Sequence, residues 1–333
     1  MLKILKYCLF LLIFLFFLIG VFLFFVNNNK VWEGILVKQL NSRFNGVVTR
    51  DVKITSVRFM WPDDLEFRGI QTELLVKKAV YIVKLDLSVN MDLSQKKILF
   101  KISNASVKAD TMNIDNIETQ AHIFWDTRQG EAETKATTIK FGEYRLTNVQ
   151  ISSFYENNSL TVKAMTAEAY GGTLQAQGEM VMEQDIHYEF DATMRTLDLD
   201  RLKKANASVF SLFKGKLDAV LAVSGLGADI SSLKGRLVLL PGGYVKASVL
   251  NQYIQDARLN MMLLPDKLKD ALKNDIFLPV EYDTLDFESV SDRKITGIHN
   301  VWSRDYFIKI VDSPLNINLD ATLGESIKRF LIQ

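Results

Sequence analysis

Few residues in this chain are of a type and spacing that could do chemistry. His122, His187 and His299 are the only histidines, and each stands in an alternating, strand-like stretch without a Cys, His or Glu at metal-ligand spacing, as solvated strand side chains do. Asp198 and Asp200 in TLDLDRL form a D-x-D, the spacing with which sugar-nucleotide transferases hold a divalent cation. The same two carboxylates fit the polar side of an alternating strand, and no nucleotide-binding strand–helix units surround them. Gly225-Leu226-Gly227 is a bare G-x-G followed by Ala228 and Asp229, which reads as a turn, and no serine-nucleophile elbow accompanies it. The single cysteine, Cys8, sits in an apolar run behind Leu5, Lys6 and Tyr7, without the small residue that precedes a lipidated cysteine. These residues give no reason to expect an enzyme, a metal or a cofactor.

Charge narrows the partners. The 333 residues carry 40 Lys and Arg against 39 Asp and Glu, a net +1 with no long basic run, so nucleic acid is not expected. With 48% hydrophobic residues and one thiol, the fold must rest on packing and backbone pairing without an intrachain disulfide.

The strongest single segment is YCLFLLIFLFFLIGVFLFFV, residues 7–26, twenty positions without a charge. That matches a helical membrane span. Lys3 and Lys6 precede it, so the positive-inside bias keeps residues 1–6 cytoplasmic and sends the rest across. The run is long for a cleaved signal peptide, and Phe24 to Asn28 offer no small-x-small cleavage site, so a retained signal anchor is predicted. Residues 30–46 follow with Trp32, Ile35, Leu36, Leu40 and Phe44 at helical spacing up to Gly46, an amphipathic helix suited to plug the end of a sheet or to lie in the membrane interface.

Beyond Gly46 the hydrophobic period falls to two. Tyr81, Val83, Leu85, Leu87, Val89 and Met91 are apolar, with Lys84, Asp86, Ser88 and Asn90 between them. Ile186, Tyr188, Phe190, Ala192 and Met194 repeat the pattern, as do Leu217, Ala219, Leu221 and Val223, and then Leu315, Ile317, Leu319, Ala321 and Leu323. Strands with polar backs imply antiparallel meanders, because parallel sheets read as continuous apolar runs. Counting such segments predicts some 15 to 18 strands. Helices are expected only near 199–213 and, interrupted at Pro265, from Leu250 to Asn274.

The order of anchor, amphipathic helix, glycine and paired strands resembles the AsmA-like family of bacterial envelope proteins. The first half of the resemblance is LVKQLNSRFNGVVTRDVKITSVRFMWPDDLEFRGIQTE, assigned to a β-groove region at 47–140. The second, at 141–333, runs from LTNVQISSFYENNSLTVKAMTAEAYGGTLQAQGEM through LDLDRL to FKGKLDAVLAVSGLGADISSLKGRLVLLPGGYVKASVL. It resembles the family's C-terminal domain, with a Tyr-Gly-Gly turn (Tyr170, Gly171, Gly172), a G-x-G turn (Gly225, Gly227) and a closing glycine hairpin (Gly242, Gly243). Well-known members are considerably longer, so this chain looks like a short version.

The resemblance implies an elongated antiparallel sheet curled into an open apolar groove, held at the bacterial inner membrane by one span with its bulk in the periplasm. The groove would take phospholipid acyl chains, and its lining would be the three faces of residues 81–91, 186–194 and 315–323. Alternation by itself equally allows those faces to close on one another, or on the helix near 250–274, as ordinary core. A third reading is an anchored scaffold for outer-membrane or secretion machinery, with an envelope protein docking at the C-terminal sheet edge.

Overall fold

The computed structural model describes residues 28–43, 47–60, 63–76, 79–127, 129–182, 186–205, 207–226, 229–256, 266–291, 300–310 and 316–320. The predicted anchor at 7–26 therefore lies outside the described residues, as do Leu315, Ala321 and Leu323. Among the described residues no helix is long and apolar enough to cross a membrane. The described chain is mainly antiparallel β, with eighteen strands and few helices, and it divides into two compact units, residues 1–142 and 143–333.

The first unit begins with α1 (Asn29–Arg43) and continues through β1 (Val47–Lys53), β2 (Ser56–Met60), β3 (Asp64–Val76), β4 (Ala79–Asp92), β5 (Lys97–Lys108), β6 (Met112–Phe124) and β7 (Gln129–Phe141). β1 and β2 share one edge of β3, and β4 to β7 follow as a meander. The helix packs onto the start of this sheet. Trp32, Leu36 and Val37 lie against a cluster of Val52, Ile54, Val57, Phe67 and Ile70, with the Trp32 and Phe67 rings edge-on at 5.1 Å. Polar anchors fix its first turn: Asn29 Nδ2 donates to the carbonyls of Ile54 and Thr55, Asn29 Oδ1 accepts from Val57 N–H, and Glu33 Oε1 accepts from Ile54 N–H. These bonds satisfy backbone groups at the corner between β1 and β2, where β3 supplies only the Arg68 carbonyl to Thr55 N–H and the Gly69 carbonyl to the Thr55 hydroxyl.

The second unit runs β8 (Tyr144–Glu156), β9 (Ser159–Ala169), β10 (Gly172–Met182), β11 (Ile186–Asp198), α2 (Leu199–Leu202), α3 (Ala207–Phe210), β12 (Phe213–Lys214), β13 (Lys216–Leu226), β14 (Asp229–Leu239), β15 (Tyr244–Lys246), α4 (Ala247–Asp256), α5 (Asp266–Asn274), β16 (Phe277–Ser291), β17 (Asn300–Ile310) and β18 (Asn316–Asp320). Its main ladder is 8-9-10-11-13-14-16-17-18, and β12, β15 and the start of β16 form a small annex. The annex holds the helices on the sheet. Leu250 and Leu268, Ala271 and Leu272 of α4 and α5 close a core with Leu197, Leu199, Leu202, Leu239, Val245 and Val280.

Two local expectations are corrected. The helix expected over 199–213 is two single turns, α2 and α3, because Leu199 and Leu202 turn into that core while Phe213-Lys214 must pair with Tyr244-Val245. A continuous fifteen-residue helix would be about 22 Å long and would carry Phe213 away from that strand. Gly242 and Gly243 do not close a hairpin between paired strands either. β14 pairs with β13 and β16, whereas β15 pairs with β12 and β16, so the glycine turn carries the chain from the main ladder into the annex.

The strands of both units are bent by bulges in which one residue takes a positive φ. Gly69, Asn104, Asn116, Asn148 and Thr196 all do so, at +62, +51, +52, +52 and +56°. At Gly69 the left-handed backbone is combined with crowding, because a Cβ there would run into the Thr55 hydroxyl. Gly69→Ala is expected to lower the unfolding free energy by about 1–3 kcal/mol. Chemical denaturation of this variant should show the loss, and an unchanged midpoint would mean that the bulge is not under this constraint.

Candidate functional site

Side chains directly opposite one another in an antiparallel pair share a face, so register shows whether the predicted apolar rows align. In the first unit they do, over five strands. Leu65, Val89, Phe100, Ala121 and Ala132 form one row, and Phe67, Leu87, Ile102, Thr119 and Thr134 form the next; beyond them Ile70 pairs with Leu85, and, across a register shift between β4 and β5, Ala105 aligns with Ile117 and Ala136. The two threonines of the middle row bond to each other, Oγ1 to Oγ1 at 3.0 Å, which removes most of their polarity from the face. The other side of the same sheet carries Glu66, Ser88, Lys101, Gln120 and Glu133 in a row.

The second unit has the same division. Val162, Gly178, Phe190, Val223 and Leu233 align, as do Met165, Ala176, Ala192, Leu221 and Gly235, and Leu174, Met194, Ala219 and Leu237. Opposed to them run Gln175, Thr193, Val220, Arg236 and Asp286, the last two joined through Nε and Nη2 at 2.6 and 2.9 Å. By backbone register Leu319 stands opposite Tyr306, and Tyr306 opposite Leu285, which continues the Met194 row into β18; Ile317 stands opposite Ile308. Thus 186–194 and the described part of 315–323 fall on one face.

These faces are covered at defined places. Leu85 and Leu87 pack against the α1 cluster, and Met194 and Leu217 against the α4–α5 core, though all four are themselves half-buried. Tyr81, Val83 and Val89 in the first unit, and Tyr188, Phe190 and Ala192 in the second, are only half-buried, as are Phe100, Ile102, Leu221, Val223 and Leu233. Met91 and Ile186, at the ends of their rows, are exposed at 44% and 42%. The Phe190 ring lies over Gly178, where a Cβ would strike it, so the phenyl spreads along the sheet.

Sequence alternation alone passed over the apolar residues of β5 and β6, among them Ile98, Phe100, Ile102, Ile114 and Ile117. Their signal is a step of three in place of two: Ile102 to Ala105 around Asn104, Ile114 to Ile117 around Asn116, and likewise Phe67 to Ile70 around Gly69 and Met194 to Leu197 around Thr196. Each step is a bulge, which absorbs one residue and returns the next apolar side chain to the same face. Aspartates opposite two of these bulges bind the freed amide. Asp86 Oδ1 accepts from Gly69 N–H at 2.7 Å and Asp218 Oδ1 from Thr196 N–H at 2.6 Å.

Asp86 also accepts from Asn104 Nδ2 at 2.8 Å, and the Asn104 and Gly69 bonds hold its carboxyl below the ordinary value. A depressed folded-state value adds stability that is fully present above the unfolded-state pKa, roughly pH 4, and is lost as pH falls through the lower, folded value. Asp86→Asn is therefore expected to flatten the acid limb of the stability–pH profile while changing neutral stability less. A profile that overlays the parent's would show that these bonds are not formed by the ionised carboxylate.

The remaining sequence motifs have structural places. Asp198 ends β11 and caps α2, its Oδ1 accepting from Asp200 and Arg201 N–H at 2.9 and 3.3 Å, so Asp200 is in a helical turn and not on the strand's polar side. His122 faces Glu131, Nε2 to carboxylate 3.5 Å, and His187 is exposed in β11; His299 lies outside the described residues. Tyr170 and Gly171 form the two-residue turn between β9 and β10, with φ of +49 and +78°. The Tyr170 hydroxyl accepts from Arg145 N–H and donates to the Glu143 carbonyl, and burial pushes its ionisation up. Gly225 is within β13 opposite Tyr188, and Gly227 lies outside the described residues. A cleft of about 600 Å3 beside the Tyr170 turn, with Arg145, Glu168, Thr173 and Arg201 among its lining residues, opens on the face opposite the apolar rows.

What fold and site define together is a two-unit antiparallel β protein with one apolar and one polar sheet face in each unit. Scans against models of known families, curated proteins and solved structures found no match.

Proposed function

We propose that the chain is an inner-membrane-anchored periplasmic protein of the AsmA-like kind, whose apolar sheet faces curl into a groove that carries phospholipid acyl chains. The observation that supports this reading most is the alignment of apolar side chains across successive strands, many of them half-buried in the middle of the sheets. Full enclosure is found under the helices instead: Val245, Ala247 and Leu250, at the α4–α5 end, have no exposure at all. A two-chain lipid has some 30 methylenes, and at about 0.8 kcal/mol each its exposure to water opposes transfer by more than ~20 kcal/mol. A continuous apolar lining removes that barrier without any specific polar site, consistent with acceptors that point outward or into bulges.

The direct test is photocrosslinking in cells. A benzophenone amino acid at Val223 or Ile102, on the half-buried rows, should form adducts with phospholipid that mass spectrometry identifies, whereas the same probe at Lys101 or Ala222, on the polar face, should not. Equal yields from the two faces would overturn the groove. Adducts only with proteins would favour the anchored scaffold.

A further inference from the structure

The two rims of the first unit differ. At the end where β2, β4 and β6 finish, large apolar side chains stand out of the fold: Leu93 is 76% exposed, Met60 42% and Trp125 39%. The tips are tied together, since Trp125 N–H donates to the Lys96 carbonyl at 3.1 Å. Of the aspartates at these tips, Asp63, Asp64, Asp92 and Asp126, the last three are engaged locally, Asp64 accepting from Asn90 Nδ2 at 2.6 Å. Asp92 accepts from Ser94 N–H and Oγ and from Gln95 N–H, and Asp126 lies 3.7 Å from Lys96 Nζ. At the other rim Val80 and Ile82, at the start of β4, are 37% and 36% exposed and Phe141, on β7 farthest from α1 in the ladder, is 60% exposed, while the β5–β6 connection there is Ala109-Asp110-Thr111.

Chain direction says which rim meets the membrane. α1 is followed at once by β1, which runs back along it, so that the 53–55 corner lies beside Asn29 at the start of the helix. β2 continues from that corner in the direction of β1, since both are antiparallel to β3, and its five residues carry it about 16 Å further to Met60. The uncharged stretch ends at Val26, three residues before α1, so it lies within about 11 Å of the helix start. Extended backwards, the axis of α1 leads towards the Met60 rim and away from the Asp110 rim.

We infer that the rim formed by Met60, Leu93 and Trp125 rests on the lipid surface in which residues 7–26 are anchored, with Leu93 and Trp125 in the interfacial layer. Trp suits that layer because its ring is apolar with one polar edge, and Lys96 and Lys97 can extend their amines to the headgroups. The strands of this unit then run towards the membrane, and the apolar face opens beside it. The inference rests on the anchor in the proposed function and not on lipid carriage.

The test uses the full chain with Cys8→Ser, which removes the only thiol, and one new cysteine at a time: Leu93→Cys, Trp125→Cys or Asp110→Cys. Each is labelled with an environment-sensitive fluorophore and reconstituted in phosphatidylethanolamine–phosphatidylglycerol vesicles containing lipid spin-labelled near the headgroup. Labels at 93 and 125 should be quenched roughly twofold or more, as for groups held in the interface, and the label at 110 should remain accessible to aqueous iodide. Iodide-accessible labels at 93 and 125, or lipid quenching at 110 instead, would overturn the inference and leave the anchor standing. Labels at 93 and 125 shielded from both quenchers would assign the rim to a protein neighbour and overturn it too. Release of the parent chain from vesicles by alkaline carbonate would remove the anchor and the inference together.

Discussion

Phe190→Arg is expected to leave the protein folded and to cut phospholipid photocrosslinking from a probe at Val223 at least about tenfold, the equivalent of 1.4 kcal/mol. Phe190 is half-buried in the middle of a five-strand apolar row, and Val223 is its partner on β13. A guanidinium at that position would keep its water and so hold acyl chains away from the neighbouring side chains, because stripping that water costs several kcal/mol without a paired anion. The fold itself tolerates the change, since an arginine stem can lie over Gly178 as the phenyl does while its head reaches solvent. Thermal unfolding decides between the two uses of the face. A variant that no longer folds would place Phe190 in closed core; one that folds and still captures lipid normally would refute the groove.

Leu250→Ala should have the largest effect on stability, lowering the unfolding free energy of the second unit by about 3–5 kcal/mol. Leu250, on α4, has no solvent exposure and belongs to the buried cluster that includes Leu199, Leu239 and Val280. Removing its isobutyl group leaves a void between a helix and strand ends that are fixed by the annex, so little can collapse into it. The same truncation on the open face, Val223→Ala, should cost under about 1 kcal/mol, because a half-exposed side chain forfeits less transfer energy and leaves no cavity. Denaturant titration of both variants measures the contrast. Similar losses at 250 and 223 would mean that the two places are equally enclosed, and the division into helix-covered core and open face would fail.

These variants probe features of different legibility. Sequence alone determined that the chain is built of antiparallel strands with one apolar side, because side-chain direction in a strand has a period of two, which Ile186 to Met194 keep throughout and Tyr81 to Met91 keep except at Ile82. It also placed α1 and the pair of helices around Pro265, since their apolar residues recur every three or four positions. The bulged strands were hidden from that rule, for a single left-handed residue at Asn104, Asn116 or Thr196 changes the phase, and asparagine and threonine do not announce a positive φ as Gly69 does. The D-x-D was ambiguous for a related reason: a carboxylate that caps a helix turn and one that waits for a cation have the same letters, and only the amides in front of Asp198 tell them apart.

Register, by contrast, belongs to tertiary structure. That Leu319 continues the row of Met194 depends on four intervening strands and on their exact offsets, none of which has a local signature. The same holds for what covers an apolar face. Leu85 and Val89 are the same kind of residue in one alternating strand, yet Leu85 packs against the α1 cluster and Val89 does not belong to it. Alternation records that a face avoids water; which surface it meets is fixed by where the helices are tethered, here by the Asn29 and Glu33 bonds to the 54–57 corner and by the small β12–β15–β16 annex.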